Sequence, residues 1–201
     1  MDMIYLLRHG EIEEPENRRY IGQIDCALSK RGRAQAVFWK KRLLGEGIAS
    51  VFCSDLTRSS DTAEMISNGL QVEIQPDPDL REINLGDWDG RIMREIKTEF
   101  PAQWAERGEH IDTFRPPNGE SFADLYQRVV PVFEYIAENS SGSVVIVGHA
   151  GVNRMVLCHL LGMPIGNLFS IQQDYGALNL IDNSKHDLQV VAVNMCPEKF
   201  K

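Results

Sequence analysis

The sequence predicts an α/β protein built on a mostly parallel sheet, and two observations lead to this prediction. Short apolar segments alternate with helix-like segments along most of the chain, which is the pattern of repeated strand–helix–strand units. Near the carboxyl terminus the strand-like segments follow one another closely, so part of the sheet should be antiparallel. The 201 residues, 43% of them hydrophobic, suffice for one buried core, and we expect a single domain over residues 1–201.

Strands are predicted where short apolar runs are bounded by turn-forming or polar residues. The run at 143–147 is the clearest buried strand, and the apolar run at 4–7 is the first strand of the chain. The predicted strands, in order, are residues 4–7, 50–53, 143–147, 168–172, 177–181 and 188–193.

Helices are predicted from their boundary signals. Gly45 follows the first helix, and the Asn-Gly pair ending at Gly69 closes the second. Ser121 and Asp124 form a capping-box pattern before a long helix that contains Pro131, a residue able to kink it. The predicted helices, in order, are residues 29–44, 57–67, 92–99, 101–107, 121–138 and 151–161.

Composition and charge argue against several classes of protein. The net charge is −8, and the basic stripe typical of a nucleic-acid binder is not visible. No apolar run is long enough to span a bilayer and the chain opens without a secretory signal, so we expect a cytoplasmic protein. The four cysteines lie far apart without a CxxC pair, and Cys53 and Cys158 are expected to be buried.

Polar residues capable of catalysis follow three of the predicted strands. The first strand leads into Arg8 and His9, the second leads into a helix whose first turn holds Arg58, and the strand at 143–147 leads into His149. In open α/β sheets the ligand crevice lies beyond the carboxyl ends of the strands. Arginine binds phosphate with a planar fork, and helix N-termini favour anions. We therefore expect a pocket for phosphoryl oxygens.

The predicted chemistry is phosphoryl transfer to a histidine. A neutral imidazole is a good nucleophile near pH 7, which suits His9. A proton donor must serve the leaving oxygen and later take a proton from water, and Glu82 lies in a loop long enough to fold over the crevice. We expect residues 76–120 to cover the site. Because the net charge would repel an anionic substrate, local cations must outweigh it.

Each of these residues also has an ordinary structural explanation. Arg58 on a helix is more often a solvated surface residue, Glu82 a surface carboxylate, and His149 a hydrogen-bonded core histidine. Trp88 fits either core packing or the mouth of a substrate site. The structural explanation is preferred for the other three histidines, which are His110, His159 and His186.

Taken together, these motifs resemble the histidine phosphatase superfamily, also called phosphoglycerate-mutase-like proteins. The resemblance covers nearly the whole chain and consists of several motifs in the family's order. The matching segments are LLRHGE (6–11), RRYIGQIDCALSKRGRAQA (18–36), CSDLTRSSDTAE (53–64), LREINLGDWDG (80–90), NGESFADLYQRV (118–129) and VVIVGHAGVNR (144–154). Residues 19–23 and 148–154 resemble the branch of α-ribazole phosphatases of cobalamin synthesis.

The resemblance implies a three-layer α/β/α fold and a reaction without a metal or another cofactor. It implies that His9 is the nucleophile and that Glu82 is the acid and base. It also implies three phosphate ligands, which are Arg8, Arg58 and His149.

Other positions extend or depart from the family pattern. Ile12 stands where many members have threonine, and Pro15 stands where many have an asparagine that contacts phosphate. Further substrate contacts are expected from Asn17, Arg19, Gly22 and Ala150.

Three alternatives stay open. His9, His149 and Glu82 would make a two-histidine, one-carboxylate metal site, although the two arginines would repel the ion. The two departures from the family pattern favour a non-catalytic module that binds a phosphorylated ligand. A phosphoglycerate mutase is the third, although the stretch from Glu82 to Gly119 is short for an enclosing insertion. The expected partner is a small phosphate ester, with α-ribazole 5′-phosphate as one candidate. We expect no nucleic acid or membrane partner, and we allow for a homodimer.

Overall fold

The computed structural model describes residues 2–13, 17–184 and 188–200, and these contain six strands and six α-helices. The strands are β1 (Met3–Arg8), β2 (Ile48–Cys53), β3 (Ile74–Pro76), β4 (Ser143–Gly148), β5 (Leu178–Asp182) and β6 (Gln189–Met195). The helices are α1 (Lys30–Arg42), α2 (Thr57–Leu70), α3 (Met93–Glu99), α4 (Pro101–Glu109), α5 (Phe122–Asn139) and α6 (Ala150–Leu160).

The strands form one sheet with the order β3-β2-β4-β1-β5-β6. The pairs β3–β2, β2–β4 and β4–β1 are parallel, whereas β1–β5 and β5–β6 are antiparallel. Leu6 at the centre of β1 pairs with Ile146 on one side and with Asn179 on the other. The prediction of a mostly parallel sheet with an antiparallel part near the carboxyl terminus is confirmed.

Successive residues of the central strands contribute to two separate cores, because neighbouring side chains of a strand point to opposite faces. Ile4 and Leu6 of β1 belong to the core that also contains buried residues of α5 and α6. Tyr5 and Leu7 belong to the core that contains buried residues of α1 and α2. Helices therefore cover both faces of the sheet, and the expected three-layer α/β/α fold is confirmed.

Helix α5 begins where the capping-box pattern of Ser121 and Asp124 predicts. The Ser121 hydroxyl accepts a hydrogen bond from the Asp124 N–H, and the Asp124 carboxylate accepts one from the Ser121 N–H. The helix continues through Pro131, which lies on its exposed side. The carbonyl of Gln127, which Pro131 leaves without a helical donor, is on that side too, where water can bond to it.

The prediction of a strand at residues 168–172 is wrong. The segment Ile165–Ser170 is a 3₁₀-helix that follows Pro164, and Leu168 is its one buried residue. An apolar run of this length does not separate a strand from a short helical turn by periodicity. Here β5 occupies the place beside β1 and β6 covers the outer edge of β5, so the segment packs Leu168 against the α5–α6 core instead.

Helix α2 is longer than the predicted helix over residues 57–67. It continues through Gly69 to Leu70 and ends at Gln71, whose φ is +57°. A Cβ at Gly69 would lie 2.4 Å from Cε of Lys40 in α1, so this glycine permits close helix packing rather than ending the helix. The segment after α2, for which no strand was predicted, contains the short edge strand β3, which pairs with β2 and ends at Pro76.

The remaining predicted strands and helices are present with small differences at their ends. Cys53 and Cys158 are buried, as expected. Within residues 2–13, 17–184 and 188–200, no helix combines the length and apolar character needed to cross a membrane. Pro15 and His186 lie outside the described residues.

Candidate active site

Three polar strand ends meet at one edge of the sheet. The strands β2, β4 and β1 are neighbours and run parallel, so their carboxyl ends lie side by side. Arg8 ends β1 and His9 follows it, Arg58 lies in the first turn of α2 just after β2, and His149 caps α6 after β4. The structure thus brings these four residues to the same place.

His9 is 3% exposed, and a backbone contact fixes its tautomer. Its Nδ1 lies 2.8 Å from the carbonyl oxygen of Gly10. Because a carbonyl oxygen can only accept, Nδ1 carries the proton and Nε2 keeps its lone pair. Burial, followed by the nearby charges of Arg58 and Arg8, holds the pKa of His9 well below its usual 6.5. The ring is therefore neutral at neutral pH, as a nucleophile must be.

Arg8 is fixed by contacts from the loop before β5. Its Nη1 donates to the carbonyl oxygen of Gln173 at 2.7 Å, and its guanidinium carbon lies 3.7 Å from the centre of the Tyr175 ring. Its Nε is buried and has no hydrogen-bond partner among the described residues. Burial lowers the pKa of Arg8, but arginine remains charged in proteins.

Arg58 is 1% exposed, so the alternative of a solvated surface residue is wrong. Its two terminal nitrogens donate to the carbonyl oxygens of Gly22 and Ile24, each at 2.7 Å. Gly22 has φ +47°, and a Cβ there would lie 1.8 Å from Oδ1 of Asp89. Arg58 thus fixes the loop around Gly22 against the cavity while keeping its charge beside His9.

His149 is fully buried, and its ring centre lies 5.0 Å from that of His9. Its Nε2 is 2.7 Å from the hydroxyl of Ser54, whereas its Nδ1 has no hydrogen-bond partner among the described residues. Burial, then the neighbouring His9 and Arg58, lowers the pKa of His149 well below 6.5.

Glu82 reaches the site from the loop that follows β3. The N–H of Gly151, in the first turn of α6, lies 3.1 Å from both carboxylate oxygens, and the N–H of Ile83 donates to one of them at 2.9 Å. A Cβ at residue 151 would lie 2.2 Å from Oε1 of Glu82, so only glycine allows this approach. The helix N-terminus also favours the negative charge.

A cavity of about 510 Å³ connects these groups. Every predicted site residue except the fully buried His149 lines it, including Asn17, Arg19, Gly22 and Ala150. Arg19 donates from Nη1 to the carbonyl oxygen of Gly90 at 2.8 Å. The segment 76–120 supplies Glu82 and Met93 to the lining.

Sequence reasoning missed several lining residues. Arg154 had a detectable signal, because it lies three positions after Gly151 and four after Ala150, on the same face of α6. Ile12, at 2% exposure, forms an isolated bridge with Leu28 and contributes an apolar wall to the cavity. The other missed residues are Arg18, Ile21, Met93, Phe169, Gln173 and Tyr175.

The structure also decides between a structural role and a role in the site for Trp88 and His159. Trp88 is 1% exposed and packs in the core, so it does not form the mouth of the site. His159 lies 2.8 Å from the hydroxyl of Tyr126 and 3.0 Å from a carboxylate oxygen of Glu134, away from the cavity. In the part of the chain that the structure describes, no group of three or more His, Cys, Asp or Glu side chains is arranged to hold a metal ion.

Comparison with known proteins agrees with this geometry. The model of a protein family described as "histidine phosphatase superfamily (branch 1)" matches residues 4–195. The chain belongs to this superfamily. The match extends from β1 to the end of β6 and so includes all the strands of the sheet.

Individual members of the superfamily are similar over most of their length. An adenosylcobalamin/α-ribazole phosphatase of Escherichia coli K12 is 30% identical over 183 residues, which is 89% of each chain. A probable phosphoglycerate mutase of Yersinia enterocolitica is 32% identical over 166 residues, 82% of this chain and 77% of the relative. The crystal structure of the α-ribazole phosphatase from Shigella flexneri has a TM-score of 0.87 at 27% identity and covers 96% of both chains.

Proposed function

We propose that the protein is a phosphoric monoester hydrolase that transfers the phosphoryl group of a small substrate to His9 and then to water. The observation that carries this is the neutral His9 ring, with Nε2 unprotonated, next to the guanidinium groups of Arg8 and Arg58. Glu82 lines the same cavity and supplies a carboxylate. The phosphatase relatives support the class of reaction.

Phosphate binding uses the cations and the orphaned donors. The Nε of Arg8 and the Nδ1 of His149 are buried without partners among the described residues, which is costly unless a ligand satisfies them. With the Ser54 hydroxyl donating to Nε2 of His149, Nδ1 carries the proton, and phosphoryl oxygens, which accept hydrogen bonds, would satisfy both groups. Together with the charge of Arg58, these contacts stabilise the negative charge that the equatorial oxygens carry in the transition state.

In the first step Nε2 of His9 attacks phosphorus, and the bond between phosphorus and the ester oxygen breaks. Glu82, protonated at this stage, gives its proton to the leaving oxygen, so that a neutral alcohol departs. The phosphohistidine keeps its Nδ1 proton on the carbonyl oxygen of Gly10. In the second step a water attacks phosphorus, the P–N bond breaks, and Glu82 takes the proton that water loses.

The reaction class can be tested by phosphate release from a panel of monoesters that includes aryl phosphates, sugar phosphates, phosphoglycerates and α-ribazole 5′-phosphate. We expect turnover by the wild type, insensitive to chelators, and its loss in His9→Ala. His159→Ala is the matched control, because His159 lies away from the cavity. Reaction in ¹⁸O-labelled water should put solvent oxygen into the released phosphate. Activity that a chelator abolishes and a metal restores would refute the proposal.

A phosphoglycerate mutase is the second candidate, favoured by the Yersinia relative. Incubation with 3-phosphoglycerate and a bisphosphoglycerate primer tests it, since a mutase would form the isomer and we expect phosphate release instead. The support for hydrolysis is that the segment between Glu82 and Gly119 holds only short helices, α3 and α4 being its longest. Binding of phosphate esters without any turnover would indicate a non-catalytic module.

The proposal also covers the domain organisation, the cellular location, the substrate and the oligomeric state. We propose one domain, since a single sheet joins the described elements, and we also propose a cytoplasmic location. A role in cobalamin synthesis with α-ribazole 5′-phosphate as substrate is one proposal, supported by the similarity to α-ribazole phosphatases. A homodimer is also compatible with the proposal, and gel filtration with light scattering would test it.

A further inference from the structure

Arg154 lies in the cavity, yet the proposed reaction does not use it. It is half-buried on α6, one turn after Gly151, whose N–H binds the Glu82 carboxylate. Its Nε donates to the carbonyl oxygen of Ile171 at 2.9 Å, and its guanidinium carbon lies 5.3 Å from the centre of the Phe169 ring. These contacts hold the guanidinium in one place, so a ligand would bind it with little loss of side-chain entropy.

The terminal nitrogens of Arg154 have no hydrogen bond or ion pair within the described residues. Arginines outside the cavity are different, because many of them pair with a carboxylate. Those pairs involve Arg31, Arg33, Arg81, Arg91, Arg115 and Arg128. Arg154 is therefore a positioned cation whose hydrogen-bonding fork is available to a ligand.

The cavity as a whole has an excess of positive charge. Its described lining contains five arginines and a single carboxylate, Glu82, in a chain whose net charge is −8. Arg8 and Arg58 are assigned to the phosphoryl group in the proposed reaction, since they line the cavity together with His9. Arg154 and the exposed Arg18 and Arg19 exceed what one phosphoryl group needs. A second anion would balance this excess.

We propose that the cavity contains a second anion site, centred on Arg154, that binds a carboxylate or a second phosphate carried by the leaving alcohol. The position beside Glu82 agrees with this, because Glu82 protonates the leaving oxygen and the alcohol must extend from there. Arg18 and Arg19 lie in the same lining. The inference rests on the proposed function and narrows its substrate class to small phosphate monoesters with a second anionic group.

The neighbours of Arg154 strengthen such an interaction. The guanidinium of Arg154 is half-buried in the cavity that Met93 and Phe169 also line, so a charge pair there is stronger than at a fully exposed site. An alcohol without charge, such as a nucleoside, would leave the half-buried guanidinium without an anionic partner. The second anion site and the proposal of α-ribazole 5′-phosphate as substrate are therefore alternatives, and the site predicts that α-ribazole 5′-phosphate is a poorer substrate than a monoester with an anionic alcohol.

Two substrate pairs test the site. In the first, 3-phosphoglycerate and glycerol 3-phosphate differ by a carboxylate in place of a hydroxymethyl group. In the second, fructose 1,6-bisphosphate and fructose 6-phosphate differ by a second phosphate. We expect the wild type to favour the more anionic member of at least one pair by about 10-fold or more in kcat/KM. The pair that shows the preference tells whether the site takes a carboxylate or a phosphate.

The matched variants are Arg154→Gln, Arg154→Lys and the control Arg94→Gln, which changes an exposed arginine of α3 outside the cavity. We expect Arg154→Gln to lower the ratio of kcat/KM between the two members by about 10- to 100-fold, the value of charge-assisted hydrogen bonds. Arg154→Lys should give an intermediate ratio, because it keeps the charge but loses the fork. Arg94→Gln should keep the wild-type ratio.

The outcomes that would overturn the inference are separate from those that would overturn the hydrolase. Turnover by the wild type without preference in either pair refutes the second anion site alone, and so does an unchanged ratio in both Arg154 variants. Absence of turnover with every ester refutes the proposed function. In that case calorimetric titration with 3-phosphoglycerate and glycerol 3-phosphate still decides the site, since equal affinities for the wild type would refute it.

Discussion

A single added methyl group at Gly151 should displace the proposed acid and base. A Cβ at this position lies 2.2 Å from Oε1 of Glu82, whereas ordinary contact begins at 3.4 Å, so the carboxylate must retreat by more than an ångström. Alanine suits the first turn of a helix at least as well as glycine, so Gly151→Ala should not unfold α6. The perturbation therefore falls on the position of Glu82.

The size of the effect follows from the role of the carboxylate. A misplacement of about 1 Å can cost on the order of 10²-fold in rate, and a general acid contributes roughly 10²- to 10⁴-fold. We expect Gly151→Ala to lower kcat/KM by about 100-fold for an alkyl phosphate, whose leaving oxygen needs a proton. For 2,4-dinitrophenyl phosphate the fall in kcat/KM should be much smaller, because that leaving group departs as an anion and kcat/KM covers only the steps up to formation of the phosphohistidine. The kcat for this ester should fall as well, since hydrolysis of the phosphohistidine uses Glu82 as the base.

The assay is steady-state phosphate release with both esters, for the wild type, Gly151→Ala and the control Gly108→Ala. A Cβ at Gly108 in α4 meets no heavy atom within 4 Å, so this control adds a methyl group without a clash. An unchanged kcat/KM for the alkyl ester would refute the reasoning about Glu82. Equal falls in kcat/KM for both esters would also refute it, because they would indicate a general disturbance of the pocket.

Three further predictions concern stability and phosphate binding. Because the pKa values of His9 and His149 lie well below 6.5, the unfolded chain binds protons near pH 6.5 that the folded chain does not. The free energy of unfolding should then fall by up to about 1.4 kcal/mol per pH unit for each histidine as the pH drops below about 6.5. Urea denaturation at pH 7.5 and 5.5 checks this, and equal stability at the two values would contradict it. Ser54→Ala removes the partner of His149 Nε2 and should cost about 1–3 kcal/mol in the same assay, with weaker inhibition by inorganic phosphate. Gly108→Ala should raise the Tm by about 1–4 °C, since it stabilises an open helical position by roughly 0.5–1 kcal/mol, and an unchanged Tm would count against that reasoning.

The core of the candidate site could be predicted because its residues follow strands. Arg8, His9, Arg58 and His149 occupy strand ends or the first helical turn beyond them, and parallel neighbouring strands bring those ends together whatever the loops do. The burial of Arg58 could not be predicted in the same way. It depends on the carbonyl oxygens of a loop more than thirty residues earlier, which only tertiary packing brings near.

The parts that sequence patterns missed depend on long-range contacts. Gln173 and Tyr175 contact Arg8 from a loop that carries no recognisable motif. The prediction of a strand over residues 168–172 was wrong because Leu168 and Phe169 belong to a 3₁₀-helix. Phe169 of that helix contacts the Arg154 guanidinium in the cavity. An apolar run is equally compatible with burial in the core and with contact to a ligand. Its role can be assigned only when the strands at the edges of the sheet are known.

The central claim is that Nε2 of His9 accepts the phosphoryl group, and direct trapping tests it most sharply. Glu82→Gln should form the phosphoenzyme from 2,4-dinitrophenyl phosphate, which needs no acid, and then hydrolyse it slowly because the base is missing. The reaction is quenched in denaturant at alkaline pH, since phosphohistidine is labile to acid, and the peptides are analysed by mass spectrometry. We expect one phosphoryl group on His9 and none in the double variant that also carries His9→Ala. A phosphoryl group on another residue, or none at all during continued turnover, would contradict the account.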